Sequence, residues 1–140
     1  MGIKIDPADK AFSECIRERA DWQCEACSRQ FSNEDRGSLQ CCHIYGRRHK
    51  SIRQEPLNAV AMCFKCHGHY TENPLEFARF IEDKLTEPLI DILLEKRAGI
   101  VKYNAQFKKD CSKHYREEFK TMRESRLLGH VGYLEFTGFL

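Results

Sequence analysis

The sequence predicts an α+β domain in which two short strands form a small core and α-helices flank it on both sides. Two Cys-x-x-Cys units stand 35 residues apart and bracket the region of the strands. Between them, the apolar stretches at residues 39–45 and 57–62 have the length and composition of strands. Before and after this region, apolar residues recur at helical spacing behind proline-containing helix starts.

The first helix is predicted to begin at Asp6-Pro7, because proline fits the first turn of a helix, and to end near residues 20–21. Its apolar face consists of residues at helical spacing, namely Ala11, Phe12, Cys15 and Ile16. The strand at residues 39–45 then enters a turn at Gly46, and the polar segment 47–56 leads as a loop to the strand at residues 57–62. A short helix is expected over residues 66–71.

Three more helices are predicted in the C-terminal half. Asn73-Pro74 offers a cap and a first-turn proline, with an apolar stripe that runs to Leu85. Glu87-Pro88 begins the next helix, which Gly99 ends. A long charged helix is expected over residues 103–128, and the last residues, 133–136, are expected to form an edge strand or a docked tail.

The composition predicts a folded, soluble protein. With 140 residues, 41% hydrophobic and 31% charged, the chain is expected to be a single domain over residues 1–140. Within it we expect a core at residues 22–72 and helical flanks at residues 1–21 and 73–140. No apolar run approaches the roughly 18 residues of a membrane span, and the N-terminus lacks a secretory apolar core, so a cytoplasmic location is expected.

The paired cysteines predict a structural zinc site. Zinc takes four ligands tetrahedrally, with sulfur at about 2.3 Å, and two residues between paired cysteines let one turn direct both sulfurs at one ion. The predicted ligands are Cys24, Cys27, Cys63 and Cys66. Since four thiolates leave no coordination position for a substrate, this zinc is predicted to hold the fold and not to react.

Two redox pairs or incidental free thiols are the alternative interpretation of these cysteines. A disulfide scaffold is disfavoured, because in a reducing cytosol paired Cys-x-x-Cys units more often bind metal than form bridges. Cys41 and Cys42 are adjacent, so at most one of them should face a site on the strand. Cys15 and Cys111 lie on apolar helix faces, where cysteine usually acts as a small buried hydrophobic residue.

The order of these motifs resembles that of the HNH (ββα-metal) endonuclease family. A Cys-x-x-Cys unit is followed by Cys42-His43-Ile44, by Asn58, and by a second Cys-x-x-Cys unit that runs directly into His67. Fourteen residues separate His43 from Asn58 and eight separate Asn58 from His67, which suits a hairpin followed by a helix. The likeness covers residues 22–72, is especially close to small phage nucleases of the NinG-like recombination kind, and implies a treble-clef-like ββα-metal core.

The resemblance implies three catalytic residues. His43 would be the general base, since a histidine with a pKa near about 6.5 is mostly neutral at pH 7 and can accept a proton. Asn58 would tie the loop between the strands and so orient the base. His67 would bind a catalytic divalent cation, with His69 as the alternative ligand if the helix is rotated.

Cys42 departs from the family pattern. Many HNH proteins carry Asp or His at this position, directly before the base, as a ligand of the catalytic cation. A thiolate is a poor ligand for Mg²⁺ and a better one for zinc or another transition metal. The expected catalytic cation is Mg²⁺, Mn²⁺ or a transition metal, with Cys42 as a possible ligand. Three consequences stay open: the ion is a softer one, a carboxylate such as Glu55 or Glu72 replaces the thiol, or the site is inactive.

A basic segment next to His43 predicts a DNA-facing surface, formed by Arg47, Arg48, His49, Lys50 and Arg53. Such side chains hold a phosphate backbone through contacts that weaken with added salt. The alternative is an ordinary solvated loop. The cations of the last helix alternate with acidic residues, which is typical of a solvated helix face.

Taken together, the resemblance implies a metal-dependent endonuclease that hydrolyses DNA phosphodiester bonds in phage or prophage recombination or DNA processing. By analogy the substrate would be branched or single-stranded DNA, acted on in the bacterial host cell. The second hypothesis is a zinc-containing module that binds DNA within a recombination complex without cleaving it. A thiol redox protein is the third.

Overall fold

The computed structural model is an α+β fold, as the sequence predicts. It describes residues 5–35 and 37–140, so the first four residues of the expected N-terminal flank lie outside it. Two strands pair antiparallel and five α-helices surround them. The elements are α1 (Pro7–Arg19), β1 (Leu39–His43), β2 (Ala59–Cys63), α2 (Phe64–Glu72), α3 (Pro74–Lys84), α4 (Glu87–Arg97) and α5 (Ala105–Leu127).

Helix α1 forms where the sequence predicts it. The Asp6 carboxylate accepts a hydrogen bond of 2.8 Å from the backbone N–H of Ala8, and Pro7 occupies the first turn. The predicted apolar face is buried, with Phe12, Cys15 and Ile16 fully enclosed. This face packs on the strand pair and on α5.

The C-terminal end of β1 and the N-terminal end of β2 are each two residues shorter than predicted. In the observed register His43 pairs with Ala59 and Leu39 with Cys63. Beyond His43, the Asn58 side chain takes the backbone groups of Tyr45, so β1 stops two residues early. The second strand starts at Ala59 because Pro56–Asn58 forms a 3-10 turn, in which a carboxylate oxygen of Glu55 lies 3.5 Å from the backbone N–H of Leu57.

Helix α2 begins at Phe64, two residues earlier than predicted. Cys63 caps it, because its sulfur accepts a hydrogen bond of 3.4 Å from the backbone N–H of Cys66. The second Cys-x-x-Cys unit is therefore the cap and first turn of a helix that leads directly to His67 and His69.

Helices α3 and α4 form as predicted and support the chain between the strands. A small apolar cluster joins Ile81 and Leu85 of α3 to Leu93 of α4 and to Ile52 of the interstrand segment. The Ser51 hydroxyl also donates a hydrogen bond of 3.0 Å to the carbonyl of Arg97. The segment that the sequence predicts as a loop is therefore packed against two helices.

Helix α5 packs along α1 through apolar and ionic contacts. Tyr115, Cys111 and Met122 are buried on its inner face. At the other end of the contact, Glu18 is only 1% exposed; it accepts hydrogen bonds from Trp22 Nε1 at 2.8 Å and from Arg126 Nε at 3.1 Å. Because a buried carboxylate is costly without such partners, this pairing matters for the α1–α5 contact.

The C-terminal residues form a docked tail, and residues 133–136 form no strand. The backbone N–H of Leu134 donates to the carbonyl of Arg19 at 2.9 Å, and the N–H of Phe139 donates to the Tyr115 hydroxyl at 3.0 Å. The Phe136 ring packs against Phe12 and Tyr115. Isolated hydrogen bonds to a helix end and to side chains thus replace the ladder of an edge strand.

None of the helices in the described part of the chain combines the length and the apolar character needed to cross a membrane.

Replacing Glu18 by Gln should destabilise the protein by about 1–3 kcal/mol, because the guanidinium of Arg126 would keep its buried position and lose the nearer of its two counter-charges, with only Asp21 left at 3.7 Å. Urea unfolding of both proteins measures the difference. Glu117→Gln, at an exposed position of α5, is the matched control and should change the free energy of unfolding by less than about 0.5 kcal/mol. A Glu18→Gln protein as stable as the wild type would contradict the role of this pair.

Candidate functional site

The four predicted zinc ligands meet at one point. The sulfur atoms of Cys24, Cys27, Cys63 and Cys66 all lie within 4.8 Å of one another, and the Cys27 and Cys63 sulfurs are 3.9 Å apart. None of these cysteines forms a disulfide. Four sulfurs around a tetrahedral zinc at about 2.3 Å are separated by about 3.8 Å, so this arrangement fits the ion.

The backbone around the first pair is shaped for this purpose. The N–H of Ser28 donates to the carbonyl of Cys24 at 2.9 Å, and Ser28 adopts a positive φ of 66° that closes the turn. Glu25 then fastens the turn to β2, since its carboxylate accepts the N–H of Ala61 at 2.5 Å and its own N–H donates to the Ala61 carbonyl at 2.9 Å.

The second pair contributes N–H groups directed at sulfur. The N–H of Cys63 donates to the Cys24 sulfur at 3.3 Å, in addition to the bond from Cys66 N–H to the Cys63 sulfur. Burial and hydrogen bonding with neighbouring thiols raise the pKa of Cys66, so a dication is what would make a thiolate stable there. The cluster could hold a structural zinc, as the sequence predicts.

A second feature is an open cleft of about 860 Å³ between α1, β1 and the interstrand segment. His43 and His67 both line it. Gln40 and Cys41 of β1 contribute to the same wall, and the polar face of α1 forms the opposite one. The structure therefore brings the predicted base and one predicted cation ligand to a common cavity.

His43 is held in one tautomer. Its Nε2 lies 3.0 Å from the carbonyl oxygen of Arg53, which can only accept, so in the neutral ring Nε2 carries the hydrogen and Nδ1 carries the lone pair. Burial lowers the pKa of His43, the hydrogen bond to Arg53 partly opposes this, and the charge of Arg47 lowers the pKa further. The neutral, proton-accepting form is therefore favoured at neutral pH.

His67 and His69 point to different surroundings. The Nδ1 of His67 lies 2.7 Å from the Gln40 side-chain oxygen, which leaves Nε2 with its lone pair. A histidine that binds a metal commonly donates its other ring N–H to such an acceptor. His69 is exposed, pairs with Glu76 at 2.6 Å, and lies beside the four-cysteine cluster instead of in the cleft.

Asn58 lies outside the cleft, fully buried behind it. Its side-chain oxygen accepts the N–H of Tyr45 at 2.8 Å, and its amide donates to the carbonyls of Tyr45 at 2.9 Å and Ile52 at 3.0 Å. The Asn58 side chain thus links the backbone just after His43, at Tyr45, to the 3-10 turn at Ile52.

The two adjacent cysteines of β1 divide between the core and the cleft. Cys42 is 5% exposed in the apolar core, and burial raises its pKa to about 11. Cys41 lines the cleft instead. Cys42, which stands at the position where HNH proteins carry a metal ligand, is therefore buried in the core. Cys41 is the thiol that lies in the cleft with His43 and His67.

Two of the five predicted DNA-binding residues lie in the cleft. Arg47 is exposed at its rim, whereas Arg53 forms a two-pronged pair with Asp9, with Nε–Oδ1 and Nη2–Oδ2 distances of 3.1 and 2.5 Å. Burial tends to raise the pKa of Asp9, but the hydrogen bonds and charge of Arg53 lower it below its usual value. Arg53 is thus largely engaged within the protein.

The other three basic residues do not line the cleft. Arg48 Nε lies 3.3 Å from the His49 ring, and Lys50 Nζ lies 4.9 Å from the centre of the Tyr103 ring. The pair of Arg53 with Asp9 extends through Gln54, whose amide donates to Asp9 at 2.8 Å and to the Tyr103 hydroxyl at 2.6 Å. These contacts fix the carbonyl that orients His43.

Sequence reasoning missed the contribution of α1. Asp6, Asp9, Ser13 and Arg17 all line the cleft. They recur three or four positions apart, opposite the predicted apolar face, so the signal was the helical spacing itself. Nothing in the sequence indicates which element that polar face meets.

The carboxylates considered as substitutes for Cys42 are elsewhere. Glu55 is 7% exposed and pairs with Lys96 at 3.1 Å, and Glu72 ends α2 on the surface; neither lines the cleft. Within residues 5–35 and 37–140, the four cysteines are the one group of three or more potential ligands that lie close enough to share an ion.

The zinc site predicts one tightly bound zinc per chain, measurable by metal analysis of the purified protein. Cys63→Ser should lower the zinc content and the melting temperature, because the cluster would lose one of its four sulfur ligands while the serine hydroxyl could still cap α2. Cys111→Ser, at a buried cysteine of α5 outside the cluster, should retain the zinc. Full zinc retention in Cys63→Ser, or disulfides within the two pairs, would contradict the site.

The environment of His43 predicts a pKa below its usual value of about 6.5, measurable by NMR titration of the imidazole. Arg47→Gln should raise this pKa, since it removes a positive charge, and Arg48→Gln should leave it unchanged. Because the folded-state pKa lies below the unfolded value, the associated stability is present above about pH 6.5 and is lost as the pH falls through the folded-state pKa. A midpoint at or above the unfolded value would refute this account.

Compared with models of known protein families, with curated proteins and with solved structures, the chain gives no match. The resemblance to HNH nucleases thus stays a prediction from the motifs. The function of the cleft must be inferred from its own residues, contacts and charges.

Proposed function

We propose that this protein is a metal-dependent nuclease that hydrolyses DNA phosphodiester bonds in the cleft between α1 and β1. The observation that carries the proposal is the paired arrangement of His43 and His67. Each ring has one nitrogen engaged with an oxygen acceptor and the other left with its lone pair, and both rings line one open cleft.

His43 acts as the general base. Its Nδ1 takes a proton from a water molecule, whose oxygen attacks the phosphorus; the bond from phosphorus to the leaving oxygen breaks, and that oxygen takes up a proton from solvent. The carbonyl of Arg53 keeps the ring in the tautomer with a free Nδ1 and stabilises the imidazolium that forms. A positioned base of this kind contributes about 10²–10⁴-fold to a rate.

A divalent cation completes the proposed site. When bound, it would neutralise the charge that develops on the phosphate oxygens. His67 offers an imidazole nitrogen for it, and Cys41, on the same wall, offers a thiol. Nitrogen and sulfur ligands favour zinc or another transition metal over Mg²⁺. With His67 and Cys41 as the proposed ligands, the cation would be softer than Mg²⁺, and Cys41 would take the role first expected for Cys42.

The charges of the cleft support an anionic substrate. Its lining has four cations, Lys10, Arg17, Arg47 and Arg53, against three carboxylates, Asp6, Asp9 and Glu14, so positive charge is in slight excess. These cations would contact the phosphate backbone of a strand, irrespective of its sequence. Branched or single-stranded DNA and a phage recombination setting remain proposals by resemblance alone.

A cleavage assay on plasmid and branched DNA with Mg²⁺, Mn²⁺, Ni²⁺ and Zn²⁺ tests the proposal. Wild-type protein should cleave with at least one of these ions, and His43→Ala should lower the rate by about 10²–10⁴-fold, because no other group replaces the base. His130→Ala removes an exposed histidine outside the cleft and is the matched control, with an unchanged rate.

Undiminished cleavage by His43→Ala would remove His43 from the mechanism. DNA binding without cleavage under any of the four ions would instead support the second candidate, a zinc-containing module that binds DNA within a recombination complex.

A further inference from the structure

The guanidinium of Arg17 lies in an incompletely satisfied environment. Arg17 is only 8% exposed, yet its Nε forms no hydrogen bond with any described residue. Its Nη2 lies 3.3 Å from the Ser13 hydroxyl and forms an ion pair with a Glu14 carboxylate oxygen at 3.4 Å; both distances exceed the usual 2.7–3.2 Å of a good hydrogen bond. Because a buried N–H without an acceptor is costly, the unused Nε gives this guanidinium capacity for an added oxygen-rich group.

The position of Arg17 points to the same cleft as the histidines. It lines the α1 wall, whereas Cys41 lines the β1 wall with His43. Arg47, from the segment between the strands, lines the same cleft. Cations from α1 and from the interstrand segment therefore face one cavity.

Arg53 makes a useful contrast with Arg17. Arg53 already binds both oxygens of Asp9 through Nε and Nη2, which leaves only its remaining Nη hydrogens for a ligand. The guanidinium of Arg17 lies 5.6 Å from the centre of the Trp22 ring. This cation–π contact stabilises the charge without using the N–H groups of the guanidinium. Of these two cleft arginines, Arg17 is the one poised to bind an added anion.

We propose that Arg17 is a phosphate-binding residue of the cleft, which holds a phosphate group of a nucleic-acid strand beside His43. The proposal rests on the proposed function and deepens it, because it assigns a substrate contact to α1, outside residues 22–72. Guanidinium groups match phosphate oxygens with two parallel charge-assisted hydrogen bonds, which an ammonium cannot reproduce.

The test uses the full-length, zinc-loaded protein and the 5′-phosphorylated dinucleotide pdTdT, titrated by NMR. In wild-type protein the Arg17 Nε–Hε signal should move as the dinucleotide binds. Arg17→Gln should weaken binding by about tenfold or more, since it removes a charge-assisted contact, and Arg17→Lys should recover part of the loss. Lys120→Gln removes an exposed cation from α5 and should bind as the wild type does.

Three results would overturn the proposal: a wild-type Arg17 signal that does not move at saturating dinucleotide, an Arg17→Gln protein with unchanged backbone spectrum and unchanged affinity, or inorganic phosphate binding as tightly as pdTdT. The first measurement needs no variant, so poor folding of Arg17→Gln does not remove the test. The binding measurement does not depend on cleavage. If Arg17 is needed for binding but the protein cleaves DNA with none of the four ions, the nuclease proposal fails and the Arg17 proposal stands.

Discussion

Four cysteine sulfur atoms meet beside the strand pair, and their convergence fixes where the first Cys-x-x-Cys turn, β2 and α2 lie relative to one another. Cys24 and Cys27 precede β1, while Cys63 ends β2 and caps α2. Glu25 binds the first pair to the backbone of β2 at Ala61. Zinc binding of this kind adds directly to the folding free energy of small domains. The helix that carries His67 therefore starts at a position set by the cluster.

The segment between the strands is held from three sides, and its order determines the state of His43. Asn58 closes it from within, α3 and α4 cover its apolar residues, and Asp9 of α1 holds Arg53. The carbonyl of Arg53 in turn fixes the His43 tautomer. A histidine whose tautomer depends on a backbone carbonyl needs that backbone to be rigid, and these contacts supply the rigidity.

Sequence patterns predicted the elements well and their ends less well. Helices with a proline in the first turn began where expected, because the cap and the fixed φ of proline are local. The strand ends were misplaced because Asn58 competes for the backbone groups of Tyr45, thirteen positions away along the chain. The tail at residues 133–136 was undecided in sequence, since docking on α1 and α5 leaves no local pattern.

By itself, the sequence determined the α+β class, the helices and the four-cysteine cluster, since caps, periodicity and Cys-x-x-Cys spacing act over a few residues. Only the tertiary structure decided that His67 and not His69 shares the cleft with His43, and that Cys41 and not Cys42 lines it. It also decided that Asp9 and Arg17 of α1 complete the cleft. The reason is geometric: a helix or strand pattern fixes which residues share a face, whereas the packing of distant elements fixes what that face meets.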